Sequence, residues 1–240
     1  MEKVVIREIA ILVPENQQAL VDHLISAKQI KTGLLIAINA EKMIACAKNP
    51  QVNALIQQAE FNYADGISVV FSIKKKYPQW QKLTRIAGID LWQALLQRSA
   101  ELSTPVFLIG GQADVVNQVV EKLSHHQVNI VGCQHGYFSE QEERSVIERI
   151  KQAKAKFVTV AMGSPKQEIF MQKAQQIYPD CLYMGVGGSF DVLVGKTKRA
   201  PLLWRKLNLE WLYRLLSQPT RWQRQLNLLR YAYYYVTNKL

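Results

Sequence analysis

No segment of this 240-residue chain approaches the roughly 18 consecutive apolar residues that a membrane span needs. The N-terminus offers only Ile9 to Val13 as an apolar run, with Glu2 and Glu8 nearby, and no signal peptide is expected. Cysteine is scarce. Cys46, Cys133 and Cys181 are odd in number, scattered and without metal-ligand spacing. That argues against a disulfide framework and suits a reducing cytoplasm, with small core positions as their expected place. The chain has no internal repeat and no low-complexity tract. It also lacks the Gly-x-Gly-x-x-Gly fingerprint of a nicotinamide-dependent oxidoreductase, since Gly110-Gly111-Gln112-Ala113 does not match it. Acid is nearly missing from one end. From Lys196 to Leu240 a single acid, Glu210, faces ten Lys and Arg, so this segment carries +9 of the net +11.

What is present fits one full-sized domain. Residues 3–13 read as one or two short strands and 14–27 as an amphipathic helix. Strands follow at 34–38, 61–64, 106–109, 128–131, 157–160 and 181–186. Helical patterns lie at 41–47, 51–59, 67–75, 88–100, from Gly111 to Leu123, at 140–153 and after Pro165. Lys74-Lys75-Lys76-Tyr77-Pro78 reads as a solvated turn that suits an anionic lipid surface. Strands alternating with helices at this spacing predict an α/β fold: a Rossmann-like, doubly wound, mainly parallel sheet. Ligands of such sheets bind at the carboxyl ends of strands. Asn39, Asp65, Gly110, Gly163 and Gly187 all fall at predicted strand ends.

The stretch Ala161-Met162-Gly163-Ser164-Pro165-Lys166-Gln167-Glu168 illustrates the pattern. It leaves a strand, turns on glycine and enters a helix, with Ser164 as the expected cap and Pro165 at the first helical position. Free N–H groups at such an end attract anions, and Lys166 adds charge. A well-capped αβ unit is the plain alternative.

Gly163-Ser164-Pro165-Lys166-Gln167-Glu168 resembles the signature of the WecG/TagA/CpsF glycosyltransferase family. Asn39, Ala64-Asp65-Gly66, Arg85-x-x-Gly88-x-Asp90, Gly110-Gly111, Gly136-Tyr137-Phe138 and Gly187-Gly188-x-x-Asp191 resemble its other motifs in the same order. The likeness runs from about Gly33 onward. Longer runs, 38–43, 63–70 and 210–219, are similar to one branch of the family. That branch moves N-acetylmannosaminuronic acid from its UDP sugar to polyprenyl-diphosphate-linked GlcNAc, a step of enterobacterial common antigen assembly. The resemblance therefore implies a UDP-sugar donor, a lipid-diphosphate acceptor, no cofactor, and a hexosyltransferase at the cytoplasmic face of the inner membrane. The α-linked donor and β-linked product that it implies mean inversion.

Such a transfer needs a base for the acceptor hydroxyl and positive charge or aligned N–H donors for the leaving diphosphate. Many glycosyltransferases hold a metal there with Asp-x-Asp, a pair absent from this chain. A metal-independent mechanism is the expectation. The resemblance places the base at Asp65; read from its context alone, Asp65 caps the helix starting at Ile67. Arg85 offers a fork for phosphate or carboxylate, or pairs with Asp90. Asn39 and Gln167 suit sugar hydroxyls or the acetamido group, or serve as a turn residue and a helix-surface amide. Gly110 and Gly111 allow close approach to a nucleotide. Tyr137 stacks on uracil or is a core aromatic. Asp191 binds donor hydroxyls or caps a helix. Lys42, Lys166 and Lys198 are the candidates for a uronate carboxylate. The teichoic-acid branch, whose donor is UDP-ManNAc, has Thr two residues before the Asn; here that position is Ala37.

The tail differs in kind. Residues 1–198 are expected to form the core and 199–240 a helical appendage. One helix from Pro201 would carry the stripe Trp204, Leu207, Trp211 and Leu215; Pro219 would break it before a second helix bearing Arg221, Arg224, Leu228 and Tyr231. Aromatics interleaved with Arg suit a membrane interface. Core packing is expected for Trp204 and Leu207, and interface binding for the Arg-rich part, with a second copy of the chain as the rival partner. Arg214, Arg221 and Arg224 are the choice for phosphate contacts, where the resemblance also points. Nucleic acid is not the expected partner, because that reading requires basic residues spread along a groove.

Overall fold

The computed structural model describes residues 1–217 and 222–239; for 214, 215, 217 and 222–226 it describes the backbone alone. The chain opens with a hairpin, β1 (Lys3–Ile6) and β2 (Ile9–Leu12), turned at Arg7 and Glu8 with φ of 46° and 67°. Helix α1 (Gln17–Leu24), β3 (Gly33–Ile38), α2 (Ala40–Lys48), α3 (Pro50–Gln58), β4 (Phe61–Ala64) and α4 (Ile67–Lys76) follow. The second half holds α5 (Gly88–Glu101), β5 (Val106–Gly110), α6 (Ala113–Ser124), β6 (Ile130–Gln134), α7 (Glu140–Gln152), β7 (Phe157–Ala161), α8 (Lys166–Ile177), β8 (Leu182–Gly185) and α9 (Ser189–Leu193). Three helices end the chain: α10 (Leu202–Lys206), α11 (Glu210–Ser217) and α12 (Trp222–Val236).

The eight strands form one sheet in the order β1-β2-β4-β3-β8-β7-β5-β6, parallel throughout except for the β1–β2 hairpin. This is the expected α/β doubly wound class. The strands are apolar on both faces because both faces are covered. On β3, Leu34, Ile36 and Ile38 point into one core and Leu35 into the other; on β5, Phe107 and Ile109 oppose Val106 and Leu108. Helices α2, α3, α4, α7, α8 and α12 supply the first core, and α1, α5, α6 and α9 the second. The sheet's two halves, β1–β4 and β5–β8, meet where β3 pairs with β8. All strands from β2 on point the same way, so the loops that follow β3, β4, β5, β7 and β8 gather on one edge.

Two local expectations need correction. Ser164 does not cap α8: the Ser164–Pro165 peptide is cis, Pro165 is the N-cap residue, and the helix begins at Lys166 without a side-chain cap. The single helix expected from Pro201 is two. Asn208 takes a left-handed φ of 58°, and the Leu209 N–H bonds back to Trp204 O, which closes α10 before α11 starts. The amide side chain makes Asn one of the few residues that tolerate that conformation.

The break changes where the apolar stripe points. Leu207 is 58% exposed rather than in the core, together with Leu202, Leu203, Trp211 and Leu216. Trp204 is half-buried and meets Tyr213 edge to face at 5.8 Å. Tyr231 goes the other way: it is buried in the first core, with its hydroxyl 2.7 Å from that of Ser72 on α4. Arg7 stacks on Tyr234 at 4.2 Å, and Lys75 donates to Tyr235 O. Helix α12 is thus part of the packed molecule. Pro219 and Arg221 lie outside the described residues, as do the side chains of Arg214, Leu215 and Arg224.

Replacing Tyr231 with Ala removes a buried aromatic and is expected to cost about 3 kcal/mol, read as a lower midpoint in urea unfolding. An α12 that merely hung from the core would leave the midpoint unchanged.

Candidate active site

The strand-end edge is held by a buried polar relay. Asn39 follows β3 and caps α2, its Oδ1 accepting from the Lys42 N–H at 2.9 Å. The Lys42 side chain turns inward and donates to Glu168 Oε1 at 2.7 Å, both groups being almost wholly buried. Gln167 Nε2 donates to the same oxygen at 2.9 Å, and Gln167 Oε1 accepts from the Gly187 N–H at 3.0 Å. A Cβ at residue 185 would lie 2.6 Å from Gln167 Nε2, so Gly185 is what lets the amide lie against β8. The relay runs from the β3 loop through α8 to the β8 loop and spans both halves of the sheet. Burial opposes the charge on Glu168, but the Lys42 ammonium, with hydrogen bonds from Lys42, Gln167 and Ser164, outweighs it and holds the carboxyl below the usual glutamate range. Lys42 and Gln167 are therefore already engaged within the protein.

Asp65 stands at the end of β4. Its Oδ1 accepts from the Gly88 N–H at 2.9 Å, so it caps α5, not the helix starting at Ile67. A Cβ on Gly88 would sit 3.1 Å from the Tyr63 hydroxyl, which is buried beside this carboxylate. Burial, then the Asp65 charge, push the Tyr63 phenol well up, with Arg85 opposing. Arg85 Nε donates to the Asp65 carbonyl at 2.6 Å, and its Nη2 lies 3.9 Å from Asp65 Oδ1. The Arg85–Asp90 pair, the alternative to a ligand-binding role for Arg85, does not form. Arg85 Nη2 instead donates to Glu210 Oε2 at 2.9 Å, while Asp90 is held by both terminal nitrogens of Arg199, at 2.6 and 2.7 Å. Asp65 and Asn39 are neighbours: a Cβ at Gly66 would be 3.0 Å from the Asn39 Cα and Cβ.

The loops after β5, β6 and β7 are knitted through glycine. Gly110 has φ of 126°, and a Cβ there would fall 2.3 Å from Ala161 O, so no other residue fits. Gly136 N–H donates to Gly111 O at 2.9 Å, and Lys166 Nζ donates to Gly136 O at 3.1 Å. Tyr137, next in chain, is 73% exposed at this edge and is not a core aromatic. Asp191 is half-buried on α9, its carbonyl accepting from the Thr197 N–H at 3.1 Å. The N-termini of α4, α6 and α8 open on the same edge without side-chain caps, which leaves backbone N–H groups for an anion. Lys198 is exposed. Among the described residues no three His, Cys, Asp or Glu side chains converge.

Sequence reasoning passed over three charged groups. Glu168 stood inside a quoted motif but received no role. Arg199 and Glu210 come from the tail and meet Asp90 and Arg85 far back in the chain. Glu210 did carry a signal, as the one acid in a strongly basic segment.

Glu168→Gln leaves the buried Lys42 ammonium without a counter-charge and is expected to cost about 3 kcal/mol at neutral pH. Because the folded carboxyl titrates low, its contribution is complete above the unfolded-state value of about 4.3 and is lost as pH falls through the lower folded value. Denaturant unfolding of both proteins across pH should show the gap narrowing only in acid.

Compared with known families, the chain matches the model of the glycosyl transferase WecG/TagA/CpsF family over residues 6–240.

Proposed function

The chain belongs to the WecG/TagA/CpsF family of glycosyltransferases, and from that premise we propose that it is an inverting, metal-independent transferase of N-acetylmannosaminuronic acid. The donor is UDP-ManNAcA and the acceptor is polyprenyl-diphosphate-linked GlcNAc, as in enterobacterial common antigen assembly. The observation that carries the reading is Asp65 at the sheet edge, a carboxylate oriented through one oxygen by the Gly88 N–H. Its other oxygen takes the proton of the acceptor hydroxyl as the hydroxyl oxygen attacks the anomeric carbon. UDP leaves with the electrons of the broken bond, and the configuration inverts. A positioned base contributes about 10² to 10⁴ in rate.

The remaining roles follow from placement. The uncapped ends of α6 and α8, with Lys166 beside them, suit the leaving diphosphate. Exposed Tyr137 suits stacking on uracil over the Gly110–Gly111 turn. Asn39, Arg85 and Asp191 border the same edge for sugar and phosphate groups. Gln167 acts on the donor by shaping the Gly187 loop. Since Lys42 is committed to Glu168, Lys166 and Lys198 are the cations left for the uronate. Ala37 in place of a hydroxyl residue favours this donor over UDP-ManNAc.

The acceptor is membrane-embedded, and residues 199–240 are the part suited to reach it. Leu202, Leu203, Leu207, Trp211 and Leu216 stand exposed beside Arg205 and Lys206, the composition of an interfacial segment. Each basic residue near an anionic leaflet gains about 1 kcal/mol, enough in sum for reversible docking at the inner face. Among the described residues no helix is long and apolar enough to cross a membrane. Arg214, Arg221 and Arg224 are proposed to meet the lipid diphosphate.

Offered UDP-ManNAcA and UDP-ManNAc with a lipid-diphosphate GlcNAc acceptor, the enzyme should transfer the uronate, detected by mass spectrometry; preference for the neutral sugar would reassign the donor. Asp65→Asn should lose at least 10²-fold in turnover while still binding UDP, and turnover within a few-fold of wild type removes Asp65 from the role. Transfer should persist in EDTA. Activity abolished by chelation and restored by magnesium or manganese would overturn the metal-free mechanism.

A further inference from the structure

The Arg85 guanidinium lies between two carboxylates. Its Nε is pinned at 2.6 Å to the Asp65 carbonyl. Its Nη2 is bonded to Glu210 at 2.9 Å and stops 3.9 Å short of Asp65 Oδ1. With Nε as pivot, a small swing of the outer end would close the second contact. Glu210 takes the hydrogen bond of that end, and the contact with Asp65 stays a longer ion pair. The Glu210 side chain is 5% exposed, and the residue is the first of α11, whose Trp211 and Leu216 face solvent.

We propose that Glu210 is a positioning residue that keeps Arg85 Nη2 from hydrogen-bonding the Asp65 carboxylate, so that the seating of α11 sets the proton affinity of the base. This rests on the reading of Asp65 given above. Among the described residues, these charged and titratable groups surround Asp65. Arg85 faces it from the loop before α5, the α5 N-terminus through Gly88, and the buried Tyr63 hydroxyl from its own strand. Glu210 and Arg199 come from the tail, with Asp90 bound behind Arg199. If Glu210 loses its charge, Asp65 becomes the acceptor nearest to Arg85. An Arg in contact lowers an Asp titration by about one to three pH units, and a carboxylate so held is a weaker base. Arg199 Nε, buried and without a hydrogen-bond partner among the described residues, lies 3.9 Å from Glu210 Oε1. Glu210 is thereby fixed between two cations, and whatever displaces α11 from outside is felt at Arg85.

The test is a direct titration of the Asp65 carboxyl by ¹³C NMR on the full chain, with Asp65→Asn identifying the resonance. Glu210→Gln should lower the Asp65 midpoint by about one unit or more, and the acid limb of the pH–rate profile should move with it. In an Arg85→Gln background the same change should move the midpoint by only a few tenths, since the effect runs through Arg85. An unmoved midpoint overturns the proposal. So does an equal drop without Arg85, which would make Glu210 a bare neighbouring charge. Should Glu210→Gln not fold, the matched pair Glu210→Asp and Glu210→Asn gives the same comparison: the charged variant keeps the wild-type midpoint and the neutral one lowers it. The titration stands apart from the base assignment, because an Asp65→Asn enzyme that kept its turnover would remove the base without touching the measured shift.

Discussion

The buried contact between Lys42 and Glu168 is the constraint on which the edge of the sheet depends. It joins α2, from the first half of the fold, to α8, from the second, at 2.7 Å with both groups out of water. Neither charge is tolerable alone there. The pair also sets its neighbours. The Lys42 N–H fixes Asn39, Glu168 orients Gln167, and Gln167 holds the turn at Gly187. Three loops that could vary independently are locked into one arrangement, in the gap where strand order changes direction and where such folds place their ligands.

Much of this was legible in the sequence. Strand ends could be found because both faces of the sheet are covered: 34–38 and 106–109 read as unbroken apolar runs and 157–160 as one interrupted only by Thr159, and the polar or glycine residue that follows each marks the edge. Asn39, Asp65, Gly110, Gly163 and Gly187 were located that way, and the structure sets all five at the carboxyl ends of strands. The helices came out within a few residues because their apolar faces repeat at helical spacing.

The partners of charged side chains were not legible. Local reasoning offered Arg85 the nearest acid, Asp90, at a spacing suited to a turn. The fold instead brings Glu210 to Arg85 and Arg199 to Asp90. Nothing within a window of twenty residues carries that information. Asp65 shows the same limit on a smaller scale, since its capping partner, Gly88, lies beyond the helix that follows it. The tail failed as a pattern for a different reason. Its apolar residues keep helical spacing through 204–215, but Asn208 takes the left-handed conformation, and Leu207 and Trp211 stand exposed. A single backbone dihedral overrode a periodicity of twelve residues. Tyr231 was read with the membrane because of its neighbours, yet it packs from α12 inward against Ser72 of α4.

The C-terminal segment is pinned on both sides of the sheet. Arg199 grips Asp90 of α5, a helix of one core, and Tyr231 is sunk into the other. Between these points in the sequence Glu210 is seated on Arg85 at the edge. A segment tied at both ends is a strap, not a tail. Re-seating such a tethered stretch is a short search, because closing a tethered loop costs entropy that grows only slowly with its length. Detaching α10 and α11 therefore need not disturb the packed cores on either face of the sheet.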